Sequence, residues 1–150
     1  MIAAQPDNSC EQPGMTTTLW LRISSVITLL FAVGHTLGGR KHWSPMGENA
    51  VLDAMRDTHF QTMGVNRSYL DFYTAFGWSL AVAQLMLAVL LWQLASLART
   101  NAKVVKPLIA VITIAMAATG VIAWQLLFPL PALFSLALVA SLVVAFTSAR

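Results

Sequence analysis

Charged residues are scarce in this chain of 150 residues. They make up 10% of the sequence, against about 25% in an average soluble domain. Hydrophobic residues make up 57% and come in long unbroken runs. A water-soluble fold would have too few polar side chains to cover its surface. The basic residues form no cluster or stripe, so the sequence also argues against nucleic-acid binding.

Cysteine is nearly absent, because Cys10 is the single one. One thiol cannot form an intrachain disulfide or a CxxC redox pair, so thiol-disulfide chemistry is excluded. The sequence has no GxSxG, no HExxH and no phosphate-binding glycine loop, which removes the common catalytic signatures. Residues 107–149 hold no charge at all. Because ion-coupled transporters usually place an acid near mid-membrane, we do not expect ion-coupled transport.

Four apolar segments are close to the ~20 residues that cross a hydrocarbon core of about 30 Å. Backbone amides in lipid must be satisfied inside continuous helices, so we predict an all-α fold, an integral membrane four-helix bundle. It forms a single transmembrane domain over residues 1–150, with a flexible tail at 1–16. The predicted helices cover about residues 18–38, 71–97, 107–128 and 131–147.

Prolines set several of the predicted boundaries. Pro107 suits the first position of the third helix, and the prolines of Pro129-Leu130-Pro131 predict a tight turn before the fourth. Ser44-Pro45 resembles a helix start, a hydroxyl cap followed by a preset backbone angle. It predicts a short amphipathic helix at the membrane interface over about residues 45–58, between helices one and two.

The positive-inside rule predicts the orientation. The tail before the first helix carries Asp7 and Glu11 without Lys or Arg, unlike a secretory signal, so we expect this helix to be retained. Four crossings then place both termini on one side, where short segments carry most of the concentrated basic charge. We predict a multi-pass protein of the cell inner membrane with both termini in the cytoplasm. The basic residues on that side are Arg22, Arg99, Lys103, Lys106 and Arg150.

Small residues recur at every fourth position on three of the predicted helices. In lipid, helices associate through small residues that let backbones approach, because burying leucine against leucine gains little over acyl chains. We therefore expect these stripes to pack against neighbouring helices. They comprise Gly77 and Ala81, then Ala115, Thr119 and Ala123, and then Ala137, Ser141 and Ala145.

Ionisable residues cluster on the opposite side of the predicted membrane. All three histidines and four of the six acids lie between residues 35 and 71. His35 is the sharpest candidate, because an ionisable side chain about one turn inside a span is costly unless it faces a partner or a water-filled cavity. The alternative is that His35 bonds a neighbouring carbonyl or carboxylate and fastens the first helix to the loop.

Asp71 and its neighbours complete the candidate site. Asp71 opens the second helix, where the helix dipole favours an acid and Arg67 can pair with it. Tyr69 and Tyr73 either line a pocket together with His35 or simply anchor the chain at headgroup depth. The candidate catalytic residues are His35 and Asp71. The candidate ligand-binding residues are His35, Arg67, Tyr69, Asp71, Tyr73 and Trp78.

We expect no metal site, and the sequence by itself requires no cofactor and identifies none. The spacings of His35, His42 and His59 match no compact ligand pair such as histidines four residues apart. A haem held by two histidines between helices is disfavoured too, because only His35 lies within a predicted span.

Two motifs resemble those of an uncharacterised family of small bacterial four-helix membrane proteins. They are Gly34-His35-Thr36-Leu37-Gly38-Gly39 and Arg67-Ser68-Tyr69-Leu70-Asp71-Phe72-Tyr73. In that family a Gly-His element on helix one is followed by an Arg-Ser-Tyr-x-Asp-Phe-Tyr element opening helix two. The resemblance covers about two thirds of the chain and implies the same topology, but it supplies no function. Many relatives have tryptophan where this chain has Leu70.

Three functions fit these observations. The leading hypothesis is a membrane-embedded binding module or accessory subunit, with a polar pocket on the non-cytoplasmic side for a lipophilic small molecule. The alternative is a membrane enzyme that uses His35 and Asp71 for isomerase-like acid-base chemistry on a lipid or isoprenoid. The third is a purely structural or assembly protein. The expected partners are the lipid bilayer, a lipophilic small molecule, and a second copy or a larger membrane complex, with no nucleic acid.

Overall fold

The computed structural model describes residues 13–41, 44 and 46–150. Five helices and one hairpin make up this part of the chain. They are α1 (Pro13–Lys41), α2 (Ala50–Asp57), β1 (His59–Thr62), β2 (Val65–Ser68), α3 (Tyr69–Ala98), α4 (Ala102–Leu126) and α5 (Pro129–Ser148). Cys10, most of the predicted tail, His42, Trp43 and Pro45 lie outside the described residues.

Four of the helices, α1, α3, α4 and α5, are long and apolar enough to cross a membrane. This confirms the predicted series of four long apolar helices. Each begins within about five residues of its predicted start. The shortest stretch, in α5, has 20 residues, enough for a hydrocarbon core of about 30 Å.

Both α4 and α5 begin before their predicted first residues, α4 at Ala102 and α5 at Pro129. Asn101 caps α4 by accepting a hydrogen bond from the Val104 amide, so Pro107 lies inside the helix and not at its first position. Pro129 and Pro131 belong to the first turn of α5 and not to a preceding turn. Amides of a first turn have no partner within the helix, so proline costs nothing there.

The short loop helix is shorter than predicted. It begins at Ala50, because Asn49 is its cap: the Asn49 Oδ1 accepts hydrogen bonds from the amides of Val51 (3.0 Å) and Leu52 (3.1 Å). The predicted start at Ser44-Pro45 is wrong. Gly47 has a positive φ of 67°, which interrupts any helix running through it. The Ser44 Oγ instead accepts a hydrogen bond from the Asn49 side-chain amide.

A β-hairpin follows α2, where the sequence predicted no strand. The two strands are antiparallel, and Thr62 pairs with Val65 across a two-residue turn. Both turn residues, Met63 (48°) and Gly64 (83°), have positive φ, as a type I′ turn requires. An all-α fold is therefore wrong for this segment.

The chain divides into two compact units. The first comprises residues 1–28 and 88–150, and its described part contains the beginning of α1, the end of α3 and all of α4 and α5. The second comprises residues 29–87, with the end of α1, α2, the hairpin and the beginning of α3. Each is described separately below.

Hydroxyl groups on α1 join helices in the first unit. The Thr18 Oγ1 donates to the Ala95 carbonyl (3.1 Å) and the Ser25 Oγ donates to the Ala88 carbonyl (2.7 Å), both on α3. Ser24 shares a hydrogen bond of 2.7 Å with Ser141 of α5. Small hydroxyl residues allow such close contacts and satisfy their own polar groups. The small-residue stripe of α1 went unnoticed in the sequence.

The other small-residue predictions hold in part. Ala81, Ala123, Ser141 and Ala145 are buried, as expected for packing positions. Ala115 and Ala137 are exposed, so these two predictions are wrong. The buried side of α4 instead follows Ala102, Val105, Ile109 and Ala123, because hydrophobic positions repeat with the helical period of 3.6 residues and not strictly every fourth residue.

Aromatic packing attaches the hairpin to α3 in the second unit. The ring centroid of Phe60 on β1 lies 5.1 Å from that of Tyr69 and 5.3 Å from that of Phe72, with tilted planes. Such tilted contacts are favourable beyond the area that they bury. They hold the hairpin against the first turn of α3, where the candidate site begins.

Candidate functional site

Asp71 completes a capping box at the start of α3. Its carboxylate Oδ2 accepts a hydrogen bond from the Ser68 amide (2.9 Å), and the Ser68 Oγ accepts one from the Asp71 amide (3.1 Å). This reciprocal pair satisfies two amides that a helix start would otherwise leave without partners. Ser68 is also the last residue of β2 and is buried. A structural role therefore explains Asp71 completely.

Arg67 does not form the predicted pair with Asp71. Its guanidinium Nη1 donates to the neighbouring Asn66 carbonyl (3.2 Å), and the side chain is exposed on β2. The ion pairs found among the described residues are those of Arg56, so none joins Arg67 to Asp71.

His35 fastens α1 to α3. Its Nε2 lies 3.1 Å from the Gly77 carbonyl oxygen, and its ring stacks on Phe31 with 6.1 Å between ring centroids. Because a carbonyl can only accept, Nε2 carries the proton in this bond. In the neutral ring Nδ1 is then an acceptor. His35 thus bonds a carbonyl, as one of the two predictions has it, but this carbonyl belongs to α3 and not to the loop.

The geometry keeps His35 and Asp71 apart. The α3 residue that His35 contacts, Gly77, lies six residues after Asp71. Six residues correspond to about 9 Å along a helix and about 120° around it. The two candidate catalytic side chains therefore have different partners on different sides of α3.

Tyr69, Tyr73 and Gly77 share one side of α3, since they are spaced four residues apart. Tyr73 thus lies one turn from the residue that binds His35. Tyr69 packs on Phe60, and both tyrosine rings are about half exposed. Trp78 is also about half exposed, but its position is rotated by about 100° from Gly77. Among the aromatic candidates, Tyr73 is therefore the one placed to join His35.

Gln84 is the residue that the sequence reasoning missed. It lies at the middle of α3, roughly 20 Å from either end, and seven residues after Gly77, hence on the same side of the helix. The residue as a whole is 7% exposed, but its amide atoms are not among the fully buried polar atoms that lack a partner in the described residues. The signal in the sequence was an amide at the middle of a 30-residue apolar helix, whereas the second amide of that helix, Gln93, lies close to its end.

Metal ligands do not converge in the described ranges. No group of three or more His, Cys, Asp or Glu side chains is arranged to hold a metal ion at residues 13–41, 44 and 46–150. The acidic side chains of the loop pair with a base instead. Arg56 donates to Glu48 (3.2 Å) and to Asp53 (3.1 Å) on the exposed surface of α2.

The capping role of Asp71 predicts a specific coupling. Asp71→Ala and Ser68→Ala should each lower the free energy of unfolding by about 1 kcal/mol. The double variant should cost clearly less than the sum, because either change breaks the same reciprocal pair. Detergent-denaturant titration followed by circular dichroism measures this. Additive losses would contradict the capping box, and Asp53→Ala is the control with an exposed acid.

Comparison of the chain with models of protein families, with curated proteins and with solved structures gives no match. The resemblance to the bacterial four-helix family stays a prediction. Function therefore has to be inferred from side chains and their surroundings.

Proposed function

We propose that the chain is a multi-pass membrane protein whose four apolar helices form a bundle, and that it is a binding module or accessory subunit for a lipophilic small molecule. Both termini lie in the cytoplasm in this proposal. The ligand lies along the side of α3 that carries Tyr73, Gly77 and Gln84. His35 and Tyr73 mark the non-cytoplasmic end of that side.

The position of Gln84 is the observation that carries the proposal: it is 7% exposed and lies at the middle of the long apolar helix α3. Hydrocarbon offers no water to such an amide, so a polar partner has to come from the protein or from a ligand. Polar residues retained at this depth are usually functional. An amide can both donate and accept, so it can bind a carbonyl or a hydroxyl group of a lipophilic ligand.

His35 supplies a second polar contact. With Nε2 committed to the Gly77 carbonyl, the Nδ1 of the neutral ring can accept a hydrogen bond from a ligand hydroxyl. Gly77 and Gln84 are about 10 Å apart along α3. An elongated apolar molecule with hydrogen-bonding groups near both ends therefore fits this side of the helix.

The isomerase-like alternative has less support. Acid-base catalysis needs a proton donor and acceptor that reach the same substrate. Asp71 is committed to the cap of α3, and His35 bonds Gly77 instead of Asp71. Nothing in the described residues brings the two together.

Native mass spectrometry of the full chain in mild detergent tests the proposal. Wild-type protein should retain a lipophilic adduct. Gln84→Leu should lower the retained fraction about tenfold, because one buried hydrogen bond is lost, while the free energy of unfolding stays equal or rises. The matched control is Gln93→Leu, since Gln93 is an exposed amide on the same helix.

Two results would contradict the proposal. One is equal retention by wild type and Gln84→Leu, or no adduct on wild type. The other is a fall in stability of about 1 kcal/mol or more in Gln84→Leu, since this would mean that the amide stabilises the protein itself.

A further inference from the structure

An arginine in the first unit has a buried donor and no partner. The Arg22 Nε is a buried side-chain nitrogen without a hydrogen bond in the described part of the chain. Arg22 lies nine residues after the start of α1, about 13 Å along the helix. A guanidinium within an apolar helix is stabilised by a counter-charge.

The described part of this unit supplies no such counter-charge. Residues 13–28 and 88–150 contain five basic side chains and no Asp or Glu. The ion pairs found in the described residues belong to Arg56, in the other unit. The two basic side chains with a close aromatic contact, Arg22 and Lys106, lie over Trp92 and Phe146. The excess positive charge is therefore complementary to an external anion.

Three residues of α3 continue the site from Arg22 to the helix end. The Arg22 guanidinium carbon lies 4.9 Å from the centre of the Trp92 ring. Ser96 and Arg99 follow Trp92 by four and seven residues, so all three share one side of α3 over about 10 Å. Ser96 and Arg99 are exposed, and Trp92 is 48% exposed. This surface is called the Arg22–Arg99 face and consists of Arg22, Trp92, Ser96 and Arg99.

We propose that the Arg22–Arg99 face binds the phosphate of an anionic phospholipid. Guanidinium groups bind phosphate oxygens through two parallel N–H donors, and the two terminal nitrogens of Arg22, unlike its Nε, are not among the buried unpartnered nitrogens. Basic sites between helices at the cytoplasmic side are suited to acidic lipid headgroups. The Arg22–Arg99 face lies next to an apolar helix surface, which the acyl chains of a phospholipid would cover. A free phosphate would have to leave water to reach Arg22.

This inference uses the proposed membrane insertion but not the ligand site at Gln84. Native mass spectrometry of the full chain released from nanodiscs of equal phosphatidylglycerol and phosphatidylcholine provides the test. Wild type should retain the anionic lipid preferentially. Arg22→Gln and Arg99→Gln should each lower that preference about fivefold. Arg150→Gln removes the same charge away from the face and should leave the preference unchanged.

The outcomes separate the explanations. Equal losses in Arg22→Gln, Arg99→Gln and Arg150→Gln would overturn the proposal in favour of unspecific charge attraction. Unchanged preference in Arg22→Gln, or displacement of the lipid by millimolar inorganic phosphate, would overturn it too. If Arg22→Gln fails to fold by circular dichroism, exposed Arg99→Gln decides. The same spectra also show whether an adduct depends on Gln84. The phospholipid site and the ligand site at Gln84 can therefore be rejected separately.

Discussion

Truncating Leu142 to alanine is expected to lower the free energy of unfolding by about 2–3 kcal/mol. Leu142 lies on α5 and is 0% exposed, in a core that also contains Leu21, Leu91 and Ile109. In the proposed membrane setting the transfer of a leucine side chain gains little, so the loss comes from contacts that no atom replaces. For this reason we place the effect in the lower part of the range known for buried leucines in soluble proteins.

Val143→Ala is the matched control, because Val143 is the next residue of α5 and is 45% exposed. We expect it to change the stability by less than about 0.5 kcal/mol. Titration with a denaturing detergent, followed by far-ultraviolet circular dichroism, measures both variants. Similar losses in the two variants would mean that Leu142 faces lipid and that the packing described for α5 is incorrect.

The long helices could be predicted because an apolar run that is long enough to cross lipid has few backbone choices there. A run of about 20 apolar residues has to form a helix that pairs its own amides. Hydropathy therefore locates α1, α3, α4 and α5. It does not locate their ends, which depend on single caps: Asn101 begins α4 several residues before Pro107.

The structure of the segment between α1 and α3 could not be predicted from hydropathy, because it depends on the local backbone geometry of a few residues. Asn49 and not Ser44 caps α2, because Gly47 between them adopts a positive φ. The hairpin depends on Met63 in a left-handed conformation that residues other than glycine, asparagine and aspartate rarely adopt. Neither choice is visible in hydrophobic periodicity.

For the candidate site, the sequence identified residues but not their partners. The pattern Ser68-x-x-Asp71 before an apolar run is a capping box and could have been recognised. The partner of His35, the Gly77 carbonyl, could not, because every residue has such a group and only the packing of α1 on α3 selects one. Gln84 is a neutral amide, and the charge pattern of the sequence does not distinguish it from other residues of α3.

Replacing Gly120 by leucine is expected to lower the free energy of unfolding by about 2–3 kcal/mol. A Cβ at Gly120 would lie 3.1 Å from the Ser135 Cβ of α5, which is tighter than an ordinary contact. A leucine cannot fit there unless α4 and α5 move apart. Gly120→Ala should cost less, because a shift of a few tenths of an ångström accommodates one methyl group and alanine favours the helix.

Gly34→Leu separates close packing from any general effect of removing glycine. A Cβ at Gly34 would meet no atom within 4 Å, although Gly34 also lies inside an apolar helix. Because leucine has the higher helix propensity, this variant should be neutral or more stable by up to about 0.8 kcal/mol. The same detergent titration compares both. A loss in Gly34→Leu as large as that in Gly120→Leu would show that the glycines serve the helices themselves, and the contact between Gly120 and Ser135 would then not explain the stability of the α4 and α5 pair.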